Sequence, residues 1–259
     1  MRFSTLATAL ALAMSQLAGS HLAEAAEIKV ISGGAFKQVL NALAEQYQKA
    51  GGNTLDLTYR TVGQHLKLIQ SGDETFDVAV LTPEAIDGLI KDGKVVAGSR
   101  ADLAKTGVGV VVKAGAPLPD IGSVDAFKRT LLAAKSVAYI DPAAGGSSGI
   151  YVGKLLERLG IAAAVNAKAK LIHGGAVADH IAEGEAEIGI HQISEILAVK
   201  GAVLVGPLPA EIQNFTVYSA GVGAAAKDGA KDAACALVRF LAGTRAGPII
   251  KAKGMEPAS

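Results

Sequence analysis

The chain has no tryptophan, a single cysteine in 259 residues, and aromatic side chains at only 4% of its positions. Without indole platforms there is little on which a sugar or a nucleic-acid base can stack. The lone Cys235 excludes an intramolecular disulfide, even in an oxidising compartment. It sits among Ala233, Ala234, Leu237 and Val238 on a helical pattern and reads as a small buried hydrophobe rather than a nucleophile. Neither sign of charge dominates: 25 Lys and Arg stand against 24 Asp and Glu. No basic cluster is present that would neutralise a phosphate backbone, so no nucleic-acid partner is expected. A Gly-x-x-x-x-Gly-Lys-Ser/Thr loop and a Gly-x-Gly-x-x-Gly fingerprint are both missing, which makes nucleotides poor candidate ligands. Beyond its first residues the chain also lacks the run of about 20 apolar residues that a membrane span needs.

What is there begins with an export signal. Arg2 supplies a positive end, Leu6 to Met14 an apolar core too short to cross a bilayer, and Ala23-Glu24-Ala25 the small-x-small pattern that signal peptidase cuts. Residues 1–25 are therefore expected to be removed before Ala26, placing the mature chain in a bacterial periplasm. Glycine is abundant, at 31 residues, and marks many tight turns. Short apolar runs (Ile28 to Ile31, Thr54 to Tyr59, Asp77 to Leu81, Val108 to Val112, Val137 to Ile140, Lys170 to Ile172, Glu187 to His191) alternate with helical stripes. Such alternation predicts an α/β fold with parallel pairing and helices on both faces. Two lobes are expected: 26–107 begins the first, 108–212 forms the second, and 213–259 returns and completes the first. The crossings fall near Gly107 and Thr216, and two crossings restrain the lobes to opening and closing around a ligand cleft.

Four places share one local design, in which a strand ends, small residues turn the chain and a helix begins. They are Ser32-Gly33-Gly34, Arg60-Thr61-Val62-Gly63, Gly145-Gly146-Ser147-Ser148-Gly149 and His173-Gly174-Gly175-Ala176. In a parallel sheet these junctions gather at the carboxyl edge, and helix starts offer unpaired N–H groups and the positive end of a dipole. The expected ligand is a small anion. Its candidate contacts are Ser32, Gly33, Gly34, Arg60, Thr61, Ser147, Ser148, Gly149, Gly175, Ala176, His191 and Gln192. Arg60 can hold a carboxylate through two hydrogen bonds, or can simply be a surface arginine after a strand. His191 and His173 each follow an apolar strand end; they either donate to the anion, move a proton near neutral pH, or serve as structural histidines. Without a convincing third ligand they make no zinc site, and no metal or cofactor is expected. Ser147 and Ser148 lack a Gly-x-Ser-x-Gly elbow and so are not read as nucleophiles. Tyr151 borders the pocket or packs, and Glu183, Glu185 and Glu187 read as a solvated turn.

Together, Ser32-Gly33-Gly34, Phe76-Asp77-Val78-Ala79-Val80, Gly184 to Ile190 and Ser219-Ala220-Gly221 resemble the type II periplasmic solute-binding proteins, in particular their molybdate-binding-like branch. The resemblance covers nearly the whole mature chain. It implies two lobes, a hinge and an anion between them. A monomer that delivers its ligand to an ABC-type membrane permease is the expected form. Molybdate binders of that branch typically carry a tyrosine near the second crossover, whereas here the strand from Glu187 to Ile190 is followed by His191-Gln192. Within the branch the chain also looks like periplasmic aconitate isomerases. That likeness implies an alternative in which the same cleft interconverts cis- and trans-aconitate, with His191 or His173 carrying the proton and no cofactor.

Overall fold

The computed structural model describes residues 27–51 and 53–258; the export signal read over residues 1–25 lies outside them. The chain runs through β1 (Glu27–Gly33), α1 (Lys37–Gly51), β2 (Thr54–Arg60), α2 (Val62–Ser71), β3 (Val78–Leu81), α3 (Pro83–Lys91) and β4 (Ala101–Lys113). It continues through α4 (Val124–Ala133), β5 (Val137–Ile140), α5 (Ser147–Arg158), α6 (Ala162–Asn166), β6 (Ala169–Ile172), α7 (Val177–Glu183), β7 (Ile188–Gln192), α8 (Ile193–Ile196) and β8 (Ala202–Pro207). It closes with β9 (Phe215–Val222), α9 (Asp228–Leu241), α10 (Gly247–Ala252) and β10 (Glu256–Pro257).

The strand order is β2-β1-β3-β9-β4-β7-β5-β6, with β8 and β10 both paired to β4. β1 pairs in parallel with β2 and β3, and β5 in parallel with β6 and β7. These are the two parallel blocks that the alternating pattern predicts. β3, between β1 and β9, and β5, between β6 and β7, are buried at every residue, as expected of strands covered by helices on both faces. The first block packs Phe36, Leu40 and Leu43 of the β1–α1 segment with Leu237 and Leu241 of α9 on one face, and Ile86 and Leu89 of α3 on the other. The second packs Phe127, Leu131, Leu155 and Leu156 on one face, and Val177 and Ile181 on the other. Cys235 is only partly buried, packed against the first of these cores rather than sealed within it.

Helix starts follow their local chemistry. Thr61 and Gln64 close a reciprocal capping box over α2, and Gly72 ends that helix in the left-handed conformation at φ 82°. Thr82 caps α3 with Pro83 in its first turn. Ser123 caps α4, its Oγ accepting the Ala126 N–H at 3.2 Å. Ser123→Ala should remove about 1 kcal/mol and lower the thermal midpoint by about 2–4 °C. Ligand affinity should stay the same, because α4 contributes no residue to the cleft described below. Paired thermal melts with and without ligand check both halves of that expectation.

Two elements depart from the sequence reading. The strand expected from Val108 begins seven residues earlier, so β4 has 13 residues and runs straight through Gly107. It pairs with β9 up to Gly107, and with β7 from Val108 and β8 from Gly109. Gly107 does not end the strand. Its missing side chain leaves room for the Gln213 amide, whose nitrogen donates to the Val108 carbonyl at 3.0 Å while its oxygen accepts the Val108 N–H at 2.9 Å. β8 was not anticipated; its half-buried run ending in Gly206-Pro207 has no clean alternation to mark it.

Candidate functional site

The carboxyl ends of β1, β2, β5 and β7 and the turn after β6 surround a cavity of about 340 Å³, at the lower end of the range for small-molecule sites. Of the residues named from sequence, Gly33, Gly34, Arg60, Thr61, Ser147, Ser148, Gly175, Ala176, His191 and Gln192 line it. The structure therefore brings all four junctions to one place. Ser32 does not line the cavity: it is fully buried, its hydroxyl donates to the Gly33 carbonyl and its own carbonyl faces His65 Nε2 at 3.1 Å. Gly149 lies behind the wall, against the carbonyl of Ile140. The His173 side chain stands 80% exposed with Nδ1 3.2 Å from Asp141 Oδ2, outside the cavity. Tyr151 packs instead of bordering it, its hydroxyl donating to the Ile212 carbonyl at 2.6 Å.

The first turn of α2 is bonded to the loops on the opposite side of the cavity. The Thr61 hydroxyl donates to the Ala144 carbonyl, the Gly63 N–H donates to the Gly145 carbonyl at 3.1 Å, and Gln64 Nε2 donates to the His173 carbonyl at 3.1 Å. These three bonds join the α2 turn to the β5–α5 and β6–α7 loops. They also engage the Thr61 hydroxyl, so it is not an open donor for an anion. The α5 start differs: Gly146 precedes it and no side chain caps it. Its first N–H groups thus keep the donor character of an uncapped helix end facing the cavity.

Arg60 belongs to a chain of contacts. Its Nε lies 3.5 Å from Glu74 Oε1, and Glu74 Oε2 lies 2.7 Å from Nδ1 of the fully buried His65, whose Nε2 reaches the Ser32 carbonyl. Both ring nitrogens face oxygen atoms, so a proton must lie between His65 and Glu74. This network ties the Arg60 strand end to the Ser32 turn. Lys37 also lines the cavity, which gives it two cations, against Asp179 and Glu195.

Two lining residues escaped the sequence reading. Tyr218 of β9 is 3% exposed, stacks on Phe36 with ring centroids 6.1 Å apart, and lies so close to Gly33 that a Cβ there would fall 2.6 Å from its ring. Burial, reinforced by the charge of Glu195, raises the pKa of its phenol, which is in hydrogen-bond reach of the Ala35 main chain and the Ser147 side chain. Glu195 of α8 places Oε2 3.2 Å from His191 Nε2. Burial pushes the Glu195 carboxyl up to about 8, opposed by Lys37, and pushes the His191 imidazole down to about 3. At neutral pH both are therefore mostly uncharged. His191 Nδ1 and Gln192 Oε1 are buried without hydrogen-bond partners among the described residues, while Gln192 Nε2 donates to Thr216 Oγ1 at 2.8 Å. Buried polar atoms without partners are uncommon and mark places where a ligand completes the bonding.

Residues 28–256 match the family model described as bacterial extracellular solute-binding protein. The chain belongs to that family. As a solute-binding protein it has curated relatives with two different names. It is 35% identical over 235 residues to an aconitate isomerase from a Pseudomonas species, covering 89% of this chain and 87% of the relative. It is 30% identical over 246 residues to the molybdate-binding protein ModA of Azotobacter vinelandii, covering 90% of each. Among solved structures, the periplasmic molybdate-binding protein of Azotobacter vinelandii superposes with a TM-score of 0.75 at 21% identity, over 90% of this chain and all of that one. That likeness establishes the fold as the type II periplasmic-binding-protein fold, two lobes around a cleft. The solute-binding protein therefore works outside the cytoplasmic membrane, in the periplasm, where the export signal predicts it.

Proposed function

We propose that this solute-binding protein captures a small polycarboxylate anion in the cleft between its lobes and presents it to an ABC-type membrane permease. The lobes are taken as 26–107 with 213–259, and 108–212. The observation that carries the reading is the convergence on one cavity of about 340 Å³ of the Gly33-Gly34 turn, the uncapped start of α5, Arg60 and Lys37. Fixed main-chain dipoles and two cations favour negative charge, and a planar guanidinium favours a carboxylate over a tetrahedral oxyanion.

A thermal-shift screen with molybdate, sulfate, phosphate, citrate and both aconitates tests this. Citrate or an aconitate should raise the melting temperature, with stabilisation of about 2.7 kcal/mol at a hundred times Kd. Stabilisation by molybdate alone would defeat the polycarboxylate assignment. The isomerase alternative is favoured by the His191–Glu195 pair, which a passive anion binder does not require, and by the aconitate isomerase relative. Conversion of cis- to trans-aconitate without added metal or nucleotide, followed by proton NMR, decides between binding alone and turnover.

A further inference from the structure

We propose that His191 and Glu195 form a one-proton relay, with His191 Nδ1 as the atom that meets the solute and Glu195 as the reservoir behind it, so that the cleft exchanges a proton with a bound carboxylate-bearing acid. The proposal rests on the anion cleft argued above and deepens it.

The geometry is specific. His191 is the fourth residue of β7 and Glu195 the third of α8, so the pair straddles the strand-to-helix junction at i, i+4, and both residues line the cavity. The His191 side chain is 3% exposed, its Nε2 is 3.2 Å from Glu195 Oε2, and its Nδ1 has no partner among the described residues. A neutral imidazole carries one N–H. When Nε2 bears it, Nε2–H donates to the Glu195 carboxylate and Nδ1 keeps a lone pair. When the pair gains a proton, Glu195 becomes the acid, donates to Nε2, and Nδ1 becomes the N–H. Nδ1 therefore alternates between base and donor without an imidazolium ever being required. Burial supports this, since it disfavours the charged form of each partner. The surrounding groups set the balance. Lys37 from α1 favours the carboxylate, Tyr218 from β9 stays a neutral phenol, and Arg60 from β2 and Asp179 from α7 line the same cavity.

For a solute with a C–H allylic to a carboxylate, the step starts from the ionised pair, the minority form at neutral pH, and balances within it. The C–H bond breaks and its proton bonds to Nδ1. The C–H electron pair spreads into the extended enolate, and the Nε2 proton passes to Glu195. Delivery of the Nδ1 proton to the other end of the allylic system restores the starting pair, with no co-reactant.

The test compares the wild type with Glu195→Gln, using trans-aconitate, whose carboxyls are ionised throughout the range pH 7–9. Wild-type affinity should be level near pH 7 and fall about tenfold per pH unit once Glu195 ionises above pH 8, as one linked proton requires. Glu195→Gln should bind at pH 7 and lose that slope. In D2O the wild type should incorporate solvent deuterium into the trans-aconitate methylene, and Glu195→Gln should do so about 100-fold more slowly. An unliganded melt close to the wild-type value certifies the fold of the variant. A Glu195→Gln protein that keeps the wild-type pH slope and exchange rate overturns the relay, as does a wild type whose affinity is unchanged up to pH 9; either result leaves the anion cleft standing. A pH slope abolished by the variant, without deuterium exchange in the wild type, supports the proton reservoir and overturns the C–H step. A wild type that binds no anion in the screen overturns the cleft reading and the relay with it.

Discussion

Replacing Gly63 with alanine should abolish tight anion binding while leaving the chain folded. A Cβ at Gly63 would stand 2.7 Å from the Gly145 Cα, and one at Gly145 would stand 2.6 Å from the Gly63 Cα. Both obstacles are main chain, so no side chain can rotate aside. Gly145 also has a φ of 71°, which a residue with a Cβ adopts only at a cost. The added methyl pushes the first turn of α2 off the β5–α5 loop and breaks the bonds from Thr61, Gly63 and Gln64 to the carbonyls of Ala144, Gly145 and His173. At about 1 kcal/mol for each hydrogen bond, the closed state loses about 3 kcal/mol, or roughly a factor of 100 in affinity. The packing of each lobe is untouched, so the unliganded melting temperature should hold. Isothermal titration with a ligand from the thermal screen, beside an unliganded melt, measures both quantities. Wild-type affinity in Gly63→Ala would mean that the three contacts play no part in closing the cleft.

The second large effect is on stability. In Gly149→Ala the new Cβ would fall 2.3 Å from the Ile140 carbonyl oxygen and 2.9 Å from its carbon. Ile140 ends β5, whose four residues are all buried, so the strand cannot retreat. α5 must move instead, and it carries Val152, Leu155 and Leu156, each no more than 1% exposed, into the second lobe's core. Forcing those side chains out of register is expected to cost about 3 kcal/mol or more, a large share of the 5–15 kcal/mol that typically holds a domain together. Urea unfolding should show a midpoint well below that of the wild type. A midpoint at the wild-type value would show that α5 and β5 are less tightly apposed than described.

Both effects come from glycines that the sequence reading placed at strand-to-helix junctions, and there the pattern was informative. Glycine and other small residues between an apolar run and a helical stripe located all four junctions, and the β-α alternation located the two parallel blocks. The roles within the junctions were less legible. Thr61 reads as an anion donor, yet its hydroxyl caps α2 and reaches across to Ala144. His173 follows an apolar strand just as His191 does, yet one is exposed and the other is 2% exposed, because β6 stands at the edge of the sheet and β7 lies inside it. Glu195 is invisible in the sequence because an acid in a four-residue helix looks like solvated surface; only the fold brings it beside His191. A His-x-x-x-Glu spacing across a strand end was the one signal available. Tyr218 was hidden in a return strand, where an aromatic residue needs no function to account for it, and His65 looked like an ordinary polar position on α2. β8 lacks alternation, and Gly107 looks like a boundary although β4 runs through it.

The three contacts made by the first turn of α2 all end on peptide carbonyls. None depends on which side chain the opposing loop displays, provided that residue 145 stays a glycine. Other polar side chains that line the cavity, among them Arg60, His191, Gln192 and Glu195, are a different set of atoms. Shutting and selecting are thus written in separate alphabets, and substitutions that retune the preferred solute leave the clasp intact.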